Sequence, residues 1–431
     1  MATGDIMDGL QVHSRFVPLA EDTHFARKDL LDERARRSVD LPLKYWRQQA
    51  HFTTPASGAP GKAIRGLKPV KRLLEKFAIS PEDIATQTGA PLDTLREVLD
   101  GDDHSPFVMV DVEDAVALTE ESISKARLGA VRCFTQEDWG PTLPFFRPSG
   151  LRLPTCVEDF LTVLPECAAD RAPADFPIAG IVWPKTEHPS EIAWVCELLT
   201  KIERELQLDE DQIKLEFLVE SAHGLDQLGD LARTCAHRLV GIIWGIADYS
   251  ADVNLPRIDN YHPMCDWARH EIVNVTGAYG VPAIDNMTLN YPTPLHRAEQ
   301  LSAAQIAENK TKVLGALKEA YDDARHGIEL GMTGKWVGHP LQLLMVLAAY
   351  RNAIPKKQIE KDINEIEAYT RSVVAGAGAT VLGEGAQAYM ADRATDRHLR
   401  ARLRRATAWG RLDAARALAL GVITESERAT I

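Results

Sequence analysis

The sequence has no C-x-x-C pair: its six cysteines, at 133, 156, 167, 196, 235 and 265, stand far apart. That spacing encodes neither a zinc knuckle nor a dithiol redox site, and free thiols are the expectation. The opening stretch MATGDIMDGLQVHSRF carries acidic residues early and no basic-then-apolar run, so no secretory signal is read there. The longest apolar runs, such as LVGIIWGIA at 239–247, are too short to span a bilayer. A cytoplasmic protein with no membrane partner is expected. An excess of positive charge is missing too: 49 Lys and Arg against 62 Asp and Glu leave a formal net charge of −13. Such a field repels a polyanion, so no nucleic-acid partner is expected, and any anionic ligand must be held by a local basic patch.

The 431 residues allow either two to three ordinary domains or one large barrel with additions. Patterning decides. Between 51 and 340, short β-branched or aromatic runs alternate with polar turns and longer amphipathic segments, the signature of βα units and a parallel sheet. The candidate strands are 51–57, 107–114, 143–150, 176–185, 214–221, 239–248, 282–290 and 334–340. The fold class expected is α/β, a (β/α)8 TIM barrel over 51–345, because eight parallel strands close such a barrel.

Three pieces fall outside the barrel pattern. Residues 1–50 are charged and read as an N-terminal helical extension. A helical insertion follows the first strand over about 66–104, and within it ISPEDIATQTGAPLDTLREVLDG (79–101) starts with a capping box, Ser80 with Asp83, and breaks at Gly-Ala-Pro. It is acidic and lies between two strands, so it reads as an enlarged helical layer and not as a DNA reader. Residues 346–431 read as a C-terminal helical arm, arginine-rich and solvated or facing another subunit.

Charged side chains recur at the last positions of the apolar runs: Glu113, Arg147, Lys185, Glu220, Asp248 and Asp285. In a parallel barrel all strand C-termini open on one face, so these residues converge on one site. Glu220 and Asp248 end consecutive strands, and two carboxylates there suit a hard divalent cation such as magnesium, or manganese in its place. The alternative is that each caps the helix that follows. Arg147 emerges behind Phe145 and Phe146, where its planar fork suits a carboxylate or enolate, or a structural partner in Asp111 or Glu113. Lys185 reads equally as a partner for a neighbouring carboxylate. Alternation along FVMVDVED puts Asp111 and Glu113 on one face and Asp114 on the other, making Glu113 the one that touches the site. The basic run Lys62, Arg65, Lys68, Lys71 and Arg72 is the local patch for a phosphate-bearing ligand.

The ordered set VDVEDAV, FFRPSGL, GIVWPKTE, LVESAHGL, GIADYSADV, WARHEIVNVTGAYGVPAIDN and GMTGKWVGHPLQ resembles the citrate lyase beta-subunit-like family of the HpcH/HpaI aldolase and acyl-CoA lyase superfamily, over roughly residues 105–345. Malyl-CoA lyases and malate synthases share its core chemistry. The resemblance implies a magnesium-dependent carbon–carbon lyase that joins or cleaves a 2-oxo acid and an acyl-CoA thioester. It also implies a homo-oligomer, a trimer or hexamer. By the same mapping Glu220 and Asp248 are the metal ligands and Arg147 holds the oxo-acid oxygens, with Asp111, Glu113 and Lys185 around it. Lys62 and Arg65 then become contacts for the CoA phosphates, and Glu384 or Asp392 the acid or base supplied across a subunit interface. Two other readings stay open: a CoA-independent metal-dependent 2-oxo-acid aldolase, and a non-catalytic barrel that binds a partner.

Overall fold

The structure, a computed structural model, describes residues 41–430 except 115, 118, 152, 154, 299, 384, 386 and 387. The expected helices of residues 1–40 therefore lie outside the described residues. Eight parallel strands form a closed barrel in chain order: β1 (Ala50–Pro55), β2 (Phe107–Asp111), β3 (Leu143–Arg147), β4 (Gly180–Trp183), β5 (Lys214–Val219), β6 (Leu239–Trp244), β7 (Ala283–Asp285) and β8 (Gly334–Val337), with β8 paired to β1. All eight expected runs contain a strand. Each strand is flanked by helices on its outer face and by side chains inside the barrel, which is why the runs are apolar throughout and not alternating. β2 and β6 are buried at every position.

The runs overshoot at their C-terminal ends. β2 stops at Asp111, so Glu113 and Asp114 belong to the loop that follows, and strand alternation does not assign their faces. β4 and β7 are shorter again than the apolar stretches that contain them. Polar residues end the ladders and reach into the loops of the barrel's C-terminal mouth.

After β1 the chain turns down the outside of the barrel at once. A Cβ at Gly129, in the helix Glu120–Gln136, would meet the Ala56 carbonyl at 1.9 Å, and one at Gly61 would meet the Glu137 carboxyl at 2.2 Å. Glycine at both positions lets the descending segment lie against that helix. The insertion then forms the helices Val70–Lys76, Pro81–Thr88 and Leu92–Leu99. The second starts on the Ser80–Asp83 capping box and ends at Gly89 in the left-handed conformation, φ 74°. The last two pack against the helices Ala303–Glu329 and Pro340–Ala353, and Lys310 pairs with Asp83 at 2.7 Å. A scaffold layer, not a recognition element, is what they build.

The barrel's eighth helix, Pro340–Ala353, runs through residue 345, so the barrel reaches past the boundary expected there. Beyond it come the helices Lys356–Val374, Arg393–Ala408, Ala414–Ala419 and Glu425–Arg428, with a two-stranded hairpin, Thr380–Leu382 and Tyr389–Ala391. The arginines expected to be solvated or subunit-facing are largely spent inside the chain. Arg402 grips Asp362, Arg404 reaches Glu427 and the Leu41 carbonyl, and Arg400 pairs with Asp396. Leu43, Ile354, Ile359, Ile366, Leu399 and Leu403 give this region its own apolar cluster, closed by residues just ahead of β1.

Inside the barrel His51 on β1 and Glu216 on β5 approach to 3.7 Å, both fully buried. Burial pushes the Glu216 carboxyl up to about 8 and holds His51 well below its ordinary value, so the contact joins two neutral groups, whatever its distance suggests. No helix among the described residues is long and apolar enough to cross a membrane.

Candidate active site

The mouth is organised around a guanidinium. Asp111 and Arg147 stand opposite each other in the β2–β3 register, and Arg147 donates Nε to Asp111 Oδ1 and Nη2 to Asp111 Oδ2, both at 2.7 Å. Asp111 Oδ1 also accepts the Glu113 backbone N–H at 2.9 Å, which orients the loop after β2. Both side chains are buried. The remaining nitrogen, Nη1, is buried without a hydrogen bond, 3.3 Å from Glu113 Oε2 and 3.8 Å from Asp114 Oδ2. Above the guanidinium lies the Trp336 ring, 5.4 Å to its centroid.

Lys185 follows β4 and Pro184 with φ +48°, a left-handed backbone uncommon for a residue with a Cβ. That turn sends its backbone N–H to Glu220 Oε1 at 3.1 Å, and its Nζ into a ring of carboxylates: Asp248 Oδ2 at 3.1 Å, Asp114 Oδ1 at 3.3 Å and Glu113 Oε1 at 3.3 Å. The ammonium stands where positive charge is wanted. Lys185 is thus a partner of several acids, as the more cautious reading of its position had it.

Glu220 ends β5 and is 7% exposed. Burial lifts its carboxyl to about 8, with Lys185 acting against the rise and Asp248 with it. A Cβ at position 245 would lie 2.7 Å from Glu220 Oε2, so Gly245 makes room for the carboxylate against the end of β6. Asp248, in the first turn of the helix Ile246–Asp252, is half exposed. Neither acid caps a helix. Ser221 caps the helix after β5 through its hydroxyl, and the helix after β6 starts at Gly245 with no side-chain cap. Neither carboxyl is a side-chain cap, although Asp248 in the first turn still lies favourably in the helix dipole.

A cavity of about 490 Å³ is lined by Asp111, Arg147, Glu220, Asp248, Tyr291 and Trp336, and an adjoining one of about 580 Å³ by Glu113, Asp114, Leu151, Lys185 and Glu191. The donors fit a hard divalent cation. Glu220, just past β5, and Asp248, in the first turn of the helix after β6, face one cavity, and burial raises the Glu220 carboxyl despite the Lys185 charge nearby. Glu113 is raised as well, chiefly by burial, with Arg147 opposing.

The geometry places three expected site residues, Asp285, Lys62 and Arg65, away from the mouth. Asp285 does not join the mouth: it pairs with Arg269 at 2.8 Å and Lys335 at 3.4 Å, and its carboxyl abuts Gly327 of an outer helix. On so short a strand, alternation turns it to the helix layer. Lys62 and Arg65 sit at the opposite end of the barrel from the mouth. The Ser105 N–H donates to the Ile64 carbonyl and Arg65 pairs with Asp103 at 2.9 Å, both just ahead of β2. Asp392 is a helix N-cap, accepting the Ala394 and Thr395 N–H groups at 2.9 and 3.1 Å. Those bonds keep its carboxyl below the ordinary value. Glu384 lies outside the described residues. Sequence reasoning also missed Trp336, whose indole N–H reaches Thr53 Oγ1 and whose ring covers Arg147. Its place on β8 was the available signal.

The family described as "Domain of unknown function (DUF6986)" matches residues 148–430. The L-malyl-CoA/beta-methylmalyl-CoA lyase of Cereibacter sphaeroides (strain ATCC 17025) is 27% identical over 291 residues, 64% of this chain and 80% of that one. The mitochondrial citramalyl-CoA lyase of Homo sapiens is 24% identical over 245 residues, 55% of this chain and 62% of that one. A citrate lyase crystal structure from Burkholderia xenovorans LB400 superposes with a TM-score of 0.57 at 19% identity, covering 89% of this chain and 97% of that one, which supports the barrel fold. The relatives named in these matches are lyases.

Proposed function

Because the chain belongs to the DUF6986 family, and its sequence relatives are lyases of malyl-CoA and citramalyl-CoA, we propose that it is a carbon–carbon lyase that cleaves or forms a malyl-CoA-like or citramalyl-CoA-like 2-hydroxy acid. The products of cleavage are a 2-oxo acid and an acyl-CoA. One observation carries the reading: Arg147 is locked by Asp111 against the cavity that Glu220 and Asp248 also line, with Nη1 making no hydrogen bond and facing Glu113 at 3.3 Å.

Glu220 and Asp248 would hold a magnesium ion, which when bound supplies positive charge to polarise an oxo or hydroxyl oxygen. Arg147 Nη1, which makes no hydrogen bond and stands 3.3 Å from Glu113 Oε2, would serve the same purpose, donating to an oxygen on which charge develops as the carbon–carbon bond breaks. Because Asp111 holds the guanidinium, that donor needs no reorganisation during the reaction. Glu113, buried between Arg147 and Lys185 and raised above the usual carboxylate range, suits a residue that takes and returns a proton near neutral pH. Lys185 keeps the local field from becoming too negative for an anionic substrate.

A CoA-independent aldolase is favoured by a separate observation. Among the described residues, the cations lining the mouth cavities are Arg147 and Lys185, and both already face carboxylates. Among the described residues of one chain, a CoA pyrophosphate therefore meets no further basic side chain in the mouth. Assembly of several copies reconciles the two readings if the neighbour completes the mouth. The apolar side chains Val374, Val381 and Met390 stand largely exposed around the C-terminal hairpin, as a face that meets another copy would.

The deciding experiment mixes acetyl- or propionyl-CoA with glyoxylate, pyruvate or oxaloacetate and magnesium, and follows loss of the 2-oxo acid and the mass of the hydroxyacyl-CoA formed, whose thioester stays intact. Turnover that Glu220→Gln abolishes supports the lyase. Turnover of hydroxy-oxo acids without any CoA supports the aldolase.

A further inference from the structure

On the face opposite the mouth, a cavity of about 390 Å³ opens among Gln49, Pro106 and Pro141, which precede β1, β2 and β3, and the ends of the helices Pro340–Ala353 and Arg393–Ala408. Its walls carry Arg47, Arg351 and Arg411, with His104 and Asp102 beside them. In a chain of formal charge −13 this is a local reversal of sign.

The partners of these groups leave donors over. Arg411 is 6% exposed; its Nη1 donates to the carbonyls of Arg351 and Ile354 at the end of the eighth barrel helix, while its Nε is buried and makes no hydrogen bond. Arg351 holds Glu97 at 3.4 Å, and Arg411 reaches the same carboxylate at 3.8 Å, so one acid serves two guanidiniums. Asp102 takes His104 Nδ1 at 2.6 Å, and His104 Nε2 is buried without a partner. Arg47 is half-buried and, among the described residues, its side chain has neither hydrogen bond nor ion pair. Burial lowers its guanidinium from the ordinary value, with Asp102 offsetting only part. Desolvating a guanidinium without a partner costs stability, and nothing in the barrel's own packing requires it here.

We propose that this cavity binds a small phosphate-bearing molecule, with Arg47 as its main contact and Arg411 Nε and His104 Nε2 as further ones. Guanidinium forks match phosphate oxygens pairwise, and the volume falls in the usual range of small-ligand pockets, roughly 300–1,000 Å³. The three arginines come from the segment ahead of β1, the eighth helix and the C-terminal region. A ligand there ties those pieces together, so occupancy stabilises the fold. Barrel chemistry sits at the C-terminal face, which makes this a site distinct from the proposed catalytic one.

Arg47 is the residue to change, because among the described residues its side chain makes no hydrogen bond or ion pair. Pyrophosphate and inorganic phosphate are titrated calorimetrically into the full chain, and thermal unfolding is followed with each. Saturable binding and a raised unfolding temperature are expected, with affinity at least tenfold weaker in Arg47→Met and unchanged in Arg65→Met, a surface arginine paired with Asp103. The ligand-free Arg47→Met chain should unfold at or above the wild-type temperature, which excludes misfolding as the cause. No saturable heat with either probe, or equal binding by wild type and Arg47→Met, overturns the proposal.

Discussion

Asp111 and Arg147 lie opposite each other at the ends of β2 and β3 and exchange two parallel hydrogen bonds of 2.7 Å, both side chains out of water. The pair fixes where the last Arg147 N–H points. Arg147→Lys keeps the charge and loses the fork, and kcat/KM is expected to fall by about 10² to 10³ in steady-state assays with the best oxo-acid substrate. Asp111→Ala strands a buried cation and should cost roughly 3–5 kcal/mol in chemical denaturation. Unchanged turnover in Arg147→Lys would exclude the oxyanion role.

Divalent cation binding should depend on Glu220 and Asp248. Glu220→Gln is expected to abolish calorimetrically measured magnesium binding, and Asp248→Asn to weaken it. Lys185→Met removes an ammonium 3.1 Å from Asp248 Oδ2. It should therefore bind the cation more tightly than wild type while catalysing less well. Metal binding by Glu220→Gln at wild-type affinity would sink the assignment.

Glu113 is held above the usual carboxylate range, chiefly by burial. As a base it works only when ionised, so kcat/KM should rise with pH through a limb well above the ordinary Glu value of about 4.5. Glu113→Gln should lose that limb along with most activity. A limb that persists in the variant assigns the proton to another group.

The buried Glu216 titrates at about 8 in the folded barrel against an ordinary 4.5. Below the lower value both states are protonated; between the two, the unfolded chain releases a proton that the native one keeps. Stability therefore declines as pH rises across that window, by at most about 1.4 kcal/mol per pH unit. Glu216→Gln has no such proton, so it should gain on wild type in urea unfolding from about pH 5 to pH 8 and match it at the acid end. Parallel curves would show that Glu216 is ionised in the fold.

If the chain takes a CoA thioester, the double variant Lys62→Ala, Arg65→Ala should leave its KM within about twofold. Arg65 is paired with Asp103 ahead of β2, on the face away from the mouth. A large rise in KM would return the basic run to the phosphate-binding role first read for it.

Much of the site was legible because parallel strands leave polar residues at one end. Arg147, Lys185, Glu220 and Asp248 each follow an apolar run, and the structure gathers all four at the mouth. The same rule failed for Asp285, since a strand of three residues, β7, turns its last side chain to the helix layer. It failed for Lys62 and Arg65 because proximity in sequence to β1 says nothing of how steeply the chain descends.

Periodicity, turn residues and the order of motifs suffice for the barrel, its eight strands and the acids that fit a cation, because burial on two faces and strand polarity are written residue by residue. Which nitrogen of Arg147 is left without a hydrogen bond, why Lys185 sits among carboxylates, and how far burial disfavours charge on Glu216 and His51 were decided only by tertiary structure. Those properties arise from distances between residues far apart in the chain and from the water that packing excludes.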